Sequence, residues 1–166
     1  RIRDVERQLG ALESLKSLPE NLEDTLRMVC ALHSSKLEFL EDAAESAREA
    51  NFNNVAIAWK LLWSLAEDLH PMLLNGSTPF SDTEYKNRSG FNLAMSEGSQ
   101  TQRDSKLMKL RQRTYRGKDI DITPHVGWGT GNDCLRVHFS IDRESQKLII
   151  GHCGNHLDNW TTKKRK

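Results

Sequence analysis

Long apolar runs are missing from this chain. No stretch of its 166 residues approaches the ~20 apolar residues of a membrane span, and no signal peptide opens it. Charged residues make up 28% and mean hydropathy is −0.65, so a soluble, cytoplasmic protein without membrane contact is expected. Cysteine is scarce as well. Cys30, Cys134 and Cys153 are odd in number and widely spread, which argues against a disulfide framework and for a reducing compartment. Cys30 falls in an apolar helical pattern and reads as a small core residue. Arg rather than Met stands first, which suggests a piece of a longer protein. The length suits one domain, or a helical part joined to a small β part, and it can bury a core.

Charge is unevenly spread. Residues 1–97 hold 10 Lys and Arg against 16 Asp and Glu, a net −6; residues 98–166 hold 14 against 7, a net +7. Such an asymmetry marks either a basic surface for nucleic acid or an acidic partner, or acidic helices that complement a basic β part within one fold.

Residues 1–75 read as a helical region. Ile2, Val5, Leu9, Leu12 and Leu15 recur at spacings of three and four over Arg1 to Leu18. That is the pattern of a coiled-coil end, and residues 1–18 are therefore a candidate route to homo-oligomers. Pro19 ends this segment, and Asn21 caps a second helix with Leu22, Leu26 and Val29 on its stripe. A third helix is expected over Lys36 to Ala50. The strongest runs from Phe52 to Leu74, capped by Asn53 or Asn54, with a kink or break near Pro71. Its core-facing stripe is Val55, Trp59, Leu62, Trp63, Ala66, Leu69 and Leu73. Asn75 to Pro79 is a linker. Ser81 and Glu84 open a short helix as a capping box, and Gly90 ends it.

Residues 80–160 are expected to form an α+β domain, followed by a basic tail over 161–166. Ser96 to Asp104 reads as a loop and Ser105 to Arg113 as a helix dense in Lys and Arg. Strands are expected at Thr114 to Arg116, Asp119 to Thr123, Cys134 to Ile141 and Leu148 to Cys153. Leu135, Val137, Phe139 and Ile141 alternate with Arg136, His138 and Ser140, which places His138 on a polar face away from the core. Leu148-Ile149-Ile150 is apolar on both faces, so its strand should be central and covered on both sides.

The candidate chemistry sits between Asp119 and Leu157, which hold His125, His138, His152, His156, Cys134 and Cys153. Phosphodiester cleavage needs a base, an acid and a cation near the phosphate. Arg136, His138, His152 and His156 are the candidate catalytic residues, and Lys106, Lys109, Arg113 and Arg116 the candidate phosphate holders. Trp128, between Gly127 and Gly129 in what reads as an exposed loop, is a candidate to stack on a base or anchor a partner. Cys134-x3-His138 and Cys153-x2-His156 offer two ligand pairs for a zinc ion. Positions i and i+4 of a strand lie ~13 Å apart, too far for one ion without a bulge. No metal and no cofactor is expected.

The run LRVHFSID, a loop, then KLIIGHCGNHL resembles the closing hairpin of RelE/ParE-type toxin domains. The resemblance covers about residues 80–160. It implies helices packed on a small, twisted antiparallel sheet like the RelE/ParE barrel. It also implies a ribosome-associated effector that cleaves messenger RNA without metal. By position, Arg136 matches the family's strand arginine and His152 or His156 its terminal histidine; Trp160 stands only approximately where the family has its terminal tyrosine. ParE-like relatives keep the fold without ribonuclease activity, so the alternative is a non-catalytic module of a regulatory or defence assembly. In that alternative the domain binds nucleic acid, or binds a protein through the acidic N-terminal helices.

Overall fold

The computed structural model describes residues 1–13, 18–76 and 78–163, so Leu15 and residues 164–166 of the basic tail lie outside the described residues. Helices α1 (Ile2–Glu13) and α2 (Leu22–Leu32) lead to a short strand β1 (Leu37–Phe39), then to α3 (Glu41–Glu49) and α4 (Val55–Ser64). A π-helical turn, Leu65–Leu69, joins α4 to α5 (His70–Leu73). Helix α6 (Asp82–Ser89), strand β2 (Asn92–Ala94), α7 (Ser99–Gln102) and α8 (Ser105–Lys109) follow. The remaining strands are β3 (Gln112–Tyr115), β4 (Lys118–Asp121), β5 (His125–Thr130), β6 (Asp133–Asp142) and β7 (Lys147–Gly154), and α9 (Trp160–Lys163) comes last.

The class is α+β. The main sheet has the order β1-β7-β6-β5-β2, with β1 parallel to β7 and every other pair antiparallel. It is open, with β1 and β2 at its edges. The β3–β4 hairpin is a separate two-stranded unit. β7 is central, as its doubly apolar Leu148-Ile149-Ile150 requires. The helices cover one face, burying Leu26, Val29, Leu61, Leu62, Leu65 and Leu69 against Leu135, Val137, Phe139, Leu148 and Ile150. The caps form as the residue types dictate. Asn21 accepts from the Asp24 N–H (2.8 Å), Asn54 from Ile57 (3.2 Å) and Ser81 from Glu84 (3.1 Å).

Several segments depart from the expectations. Lys36 to Ala50 is not one helix: Leu37–Phe39 pairs with Leu148–Ile150, and the helix begins only at Glu41. Three residues have little helical propensity to lose, and the open edge of β7 satisfies their backbone groups. The helical region thereby contributes a strand to the sheet, and both parts share one core. The long helix changes pitch before Pro71. Proline lacks an N–H and its ring crowds the carbonyl four residues back; the His70 N–H bonds to the Leu65 carbonyl, five back. Already within α4 the buried stripe runs through Ala58, Leu61 and Leu62, and Trp63 is 36% exposed instead of core-facing. Residues 99–102 form the short helix α7 within the expected loop, and Gln112 and Arg113 join strand β3 instead of the preceding helix. Finally, the expected Trp128 loop is strand β5, paired with β6 from His125↔His138 to Thr130↔Asp133.

Candidate functional site

The face of the sheet opposite the helices is polar, and its centre is a row of histidines. Cross-strand register places His125 of β5 beside His138 of β6, and His138 beside His152 of β7. Directly paired residues share a sheet face, so three imidazoles form a ladder across three strands. The His125 and His138 rings stack with centroids 4.4 Å apart, and His152 meets His138 edge-on at 5.6 Å.

A strap from the β3–β4 hairpin to Thr123 covers this ladder. The register of β6 and β7 shifts between His138 and Phe139, leaving Gly151 as the extra residue of a bulge. A Cβ on Gly151 would come within 2.8 Å of Ile122 Cγ2 and 3.1 Å of Arg113 Cγ, so the strap presses onto the sheet where only glycine fits. Arg113 fixes it there: its Nε–H donates to the Gly151 carbonyl (3.1 Å), and it pairs with Asp42 at 3.4 Å. The strap's Ile122 carbonyl accepts from His138 Nδ1 (2.9 Å).

His138 is therefore on the non-core face, as its place in the alternation requires, yet only 2% exposed. That polar face is not a solvent-facing one at His138, because sequence alternation cannot foresee a cover from 16 residues upstream. His152 is equally enclosed at 7% exposure, its Nε2–H donating to the Asn155 carbonyl at 2.6 Å. Burial, then the neighbouring His125 and His152, hold the His138 imidazole well below its usual pKa. Burial lowers that of His152 to about 4, against the pull of its Asn155 bond. Both rings are neutral at pH 7.

The ladder opens at one end. His125 is half-buried, and His125, Arg136, His156 and Asn92 line a cleft of about 240 Å³ along β2 and β5. Arg136 lies on the rung beside His138, opposite Gly127, where a Cβ would meet its side chain at 2.8 Å. Its guanidinium donates to the carbonyls of Trp128, Gly129 and Leu135, each at 3.0 Å. Those bonds occupy three of five N–H donors and leave two for a ligand. His125 Nδ1 lies 2.8 Å from the Thr123 carbonyl. A carbonyl only accepts, so Nδ1 carries the proton and Nε2 keeps the lone pair of a base. His156 is exposed as a residue with its ring against the cleft. Partial desolvation and then the Arg136 charge lower its pKa, and a backbone bond to Leu157 opposes them.

Behind this end lies a buried ion pair that the residue pattern did not reveal. Arg111 is 1% exposed and bonds Glu97 at 2.7 Å, with its Nη1 donating to the Leu107 and Asp158 carbonyls. Glu97 also sits 3.9 Å from His125 Nδ1. The one signal available was an acidic residue beside a glycine in an otherwise uncharged turn, too weak to single out.

Of the other candidates, Lys106 and Lys109 are exposed on α8 and Arg116 on the β3–β4 turn, its guanidinium over the Tyr115 ring at 5.0 Å. Arg113 is committed to the strap, so none of the four lines the cleft. Trp128 is half-buried, edge-on to Phe52 at 5.7 Å. It lies on strand β5 and not in an exposed loop, and it also lines the cleft. Cys134 pairs with Gly129 and Cys153 with Val137, and burial pushes the Cys153 thiol up to about 12. Among the described residues no three His, Cys, Asp or Glu side chains gather as ligands for an ion. No helix among them is long and apolar enough to cross a membrane. No protein-family model, curated protein or solved structure matches this chain.

Proposed function

We propose that this chain is an effector domain that cleaves RNA by metal-free acid–base catalysis, the reaction implied by the resemblance of its last hairpin. The observation that carries the reading is the joint lining of one cleft by Arg136, His125 and His156. At about 240 Å³ the cleft is smaller than the roughly 300–1,000 Å³ of pockets that enclose whole ligands, and suits a single phosphodiester on a chain that runs past it. In this reading the Nε2 of His125 takes the proton of a ribose 2′-hydroxyl as its oxygen attacks phosphorus. His156, in the protonated form that its lowered pKa makes the minor one at pH 7, gives a proton to the departing 5′-oxygen. Arg136 carries the charge that builds on the pentavalent phosphate. The products are a 2′,3′-cyclic phosphate and a free 5′-hydroxyl. His138 and His152 hold His125 in place from beneath.

The charge distribution supports a basic surface left open for a polyanion. Among the described residues, the ion pairs between bases after position 97 and acids of the first 97 are those of Arg111, Arg113 and His125. The alternative, a binding module without catalysis, rests on a specific observation too. Every ladder histidine donates to a backbone carbonyl, and Arg136 donates to three, which is what a purely structural network would do.

The test is RNA cleavage by the purified chain, alone and in a cell-free translation reaction, with and without EDTA. Cleavage that persists in EDTA and falls about 10²- to 10⁴-fold in His156→Asn, with unchanged melting, supports the enzyme. Retention of RNA without cleavage by the unmutated chain assigns the cleft to binding.

A further inference from the structure

Helix α1 meets the rest of the molecule through its polar side. Its covered residues are Asp4, Gln8 and Ala11, on the side where the Ser34 hydroxyl reaches the Asp4 carbonyl at 3.3 Å. Ile2, Val5, Leu9 and Leu12 point elsewhere, at 77%, 49%, 53% and 54% exposure. At about 100° per residue the two sets lie roughly a third of a turn apart, so docking on α2 leaves the apolar side in water. Single exposed apolar residues are ordinary; four in one continuous row are not.

The row has the spacing 3-4-3, which assigns Ile2 and Leu9 to a and Val5 and Leu12 to d of two heptads. The flanking positions then decide the orientation of a second identical helix. Arg1 and Gln8 fall at g, Glu6 and Glu13 at e. A parallel pair sets each g beside the following e of its partner, which brings Arg1 to Glu6. An antiparallel pair sets e beside e, acid against acid. From this seam and its charges we infer that α1 forms a parallel two-stranded coiled coil with the α1 of a second copy of this chain.

Sedimentation equilibrium of the 166-residue chain tests the inference directly. The mass rises with concentration from 19.0 kDa toward twice that value. Val5→Lys combined with Leu9→Lys holds it at the monomer value, with circular dichroism and melting unchanged at concentrations where the unmutated chain is monomeric, because both positions face solvent in the monomer. Leu12→Cys reports orientation, since d faces d only in a parallel pair and the native Cys30, Cys134 and Cys153 are all buried. Mild oxidation of that variant then gives a cross-linked dimer. Arg1→Glu weakens the dimer and adding Glu6→Arg restores it. A monomer at every concentration, a dimer indifferent to the two lysines, or cross-linking that needs Ile2→Cys together with Leu12→Cys each overturns the inference.

Discussion

Both faces of the five-stranded sheet are buried, by opposite means. On the helix face Leu135, Val137, Phe139, Leu148 and Ile150 meet helix side chains through apolar contact alone. That attraction has no preferred direction and scales with area. On the other face, three imidazoles lie in a row under the strap, each bonded to a carbonyl, with the Arg111–Glu97 pair behind them. Buried polar groups are costly unless they find partners, so these imidazoles and the Arg111–Glu97 pair depend on the direction of each bond. The apolar face can absorb a change of shape. The polar face responds to a change of charge, and where it reaches water it becomes the candidate site.

The sharpest way to break the contrast is to remove one charge from the polar face. Glu97→Gln leaves Arg111, 1% exposed, without its counter-charge and should destabilise by about 3–5 kcal/mol in urea unfolding. Phe139→Ala, fully buried on the apolar face, should cost a comparable amount through the cavity it leaves, about 3–5 kcal/mol.

Acid should separate the faces next. The His152 pKa is lowered to about 4 in the folded chain, against an unfolded value near 6.5. Between those values the unfolded chain binds a proton that the folded chain does not, so stability falls as pH drops from about 6.5 to about 4 and is fully present above that window. For this ring alone the loss is on the order of 3 kcal/mol, and His138, shifted in the same direction, adds to it. Urea titrations of the unmutated chain and of His152→Leu across this range check it; equal slopes would remove the ladder as the cause.

A smaller effect tests the strap. Gly151→Ala sets a methyl 2.8 Å from Ile122 and should cost about 1–3 kcal/mol, with faster hydrogen exchange at Ile122. Smallest is the open end, where His156→Asn should alter stability by no more than about 0.5 kcal/mol, read as a melting shift. A large shift there would mean that His156 belongs to the scaffold and not to the site.

The site was half legible from residue types. Arg136 and His156 stood among the candidate catalytic residues and the alternation of β6 placed Arg136 and His138 on one face, but His125 was noted only as one histidine of the segment. Exposure could not be read, because it depends on where Ile122 and Arg113 lie, and nothing local to His138 or His152 encodes that. Trp128 misled for a related reason. Its flanking glycines look like a loop, but Gly127 is there to admit the Arg136 side chain across the strand pair. Glu97 and Arg111 come together over 14 residues of loop and short helix and carry no periodic signal.

Local chemistry by itself determined the helix caps at Asn21, Asn54 and Ser81, the β6–β7 hairpin, the centrality of β7 and the apolar seam of α1. Those features follow from side chains acting on their own backbone or from periodicity along one element. Only the tertiary structure decided that Leu37–Phe39 is a strand and which histidines reach water. Each of those depends on a group distant in sequence that supplies a hydrogen bond or takes up space, and a one-dimensional pattern holds no record of such a neighbour.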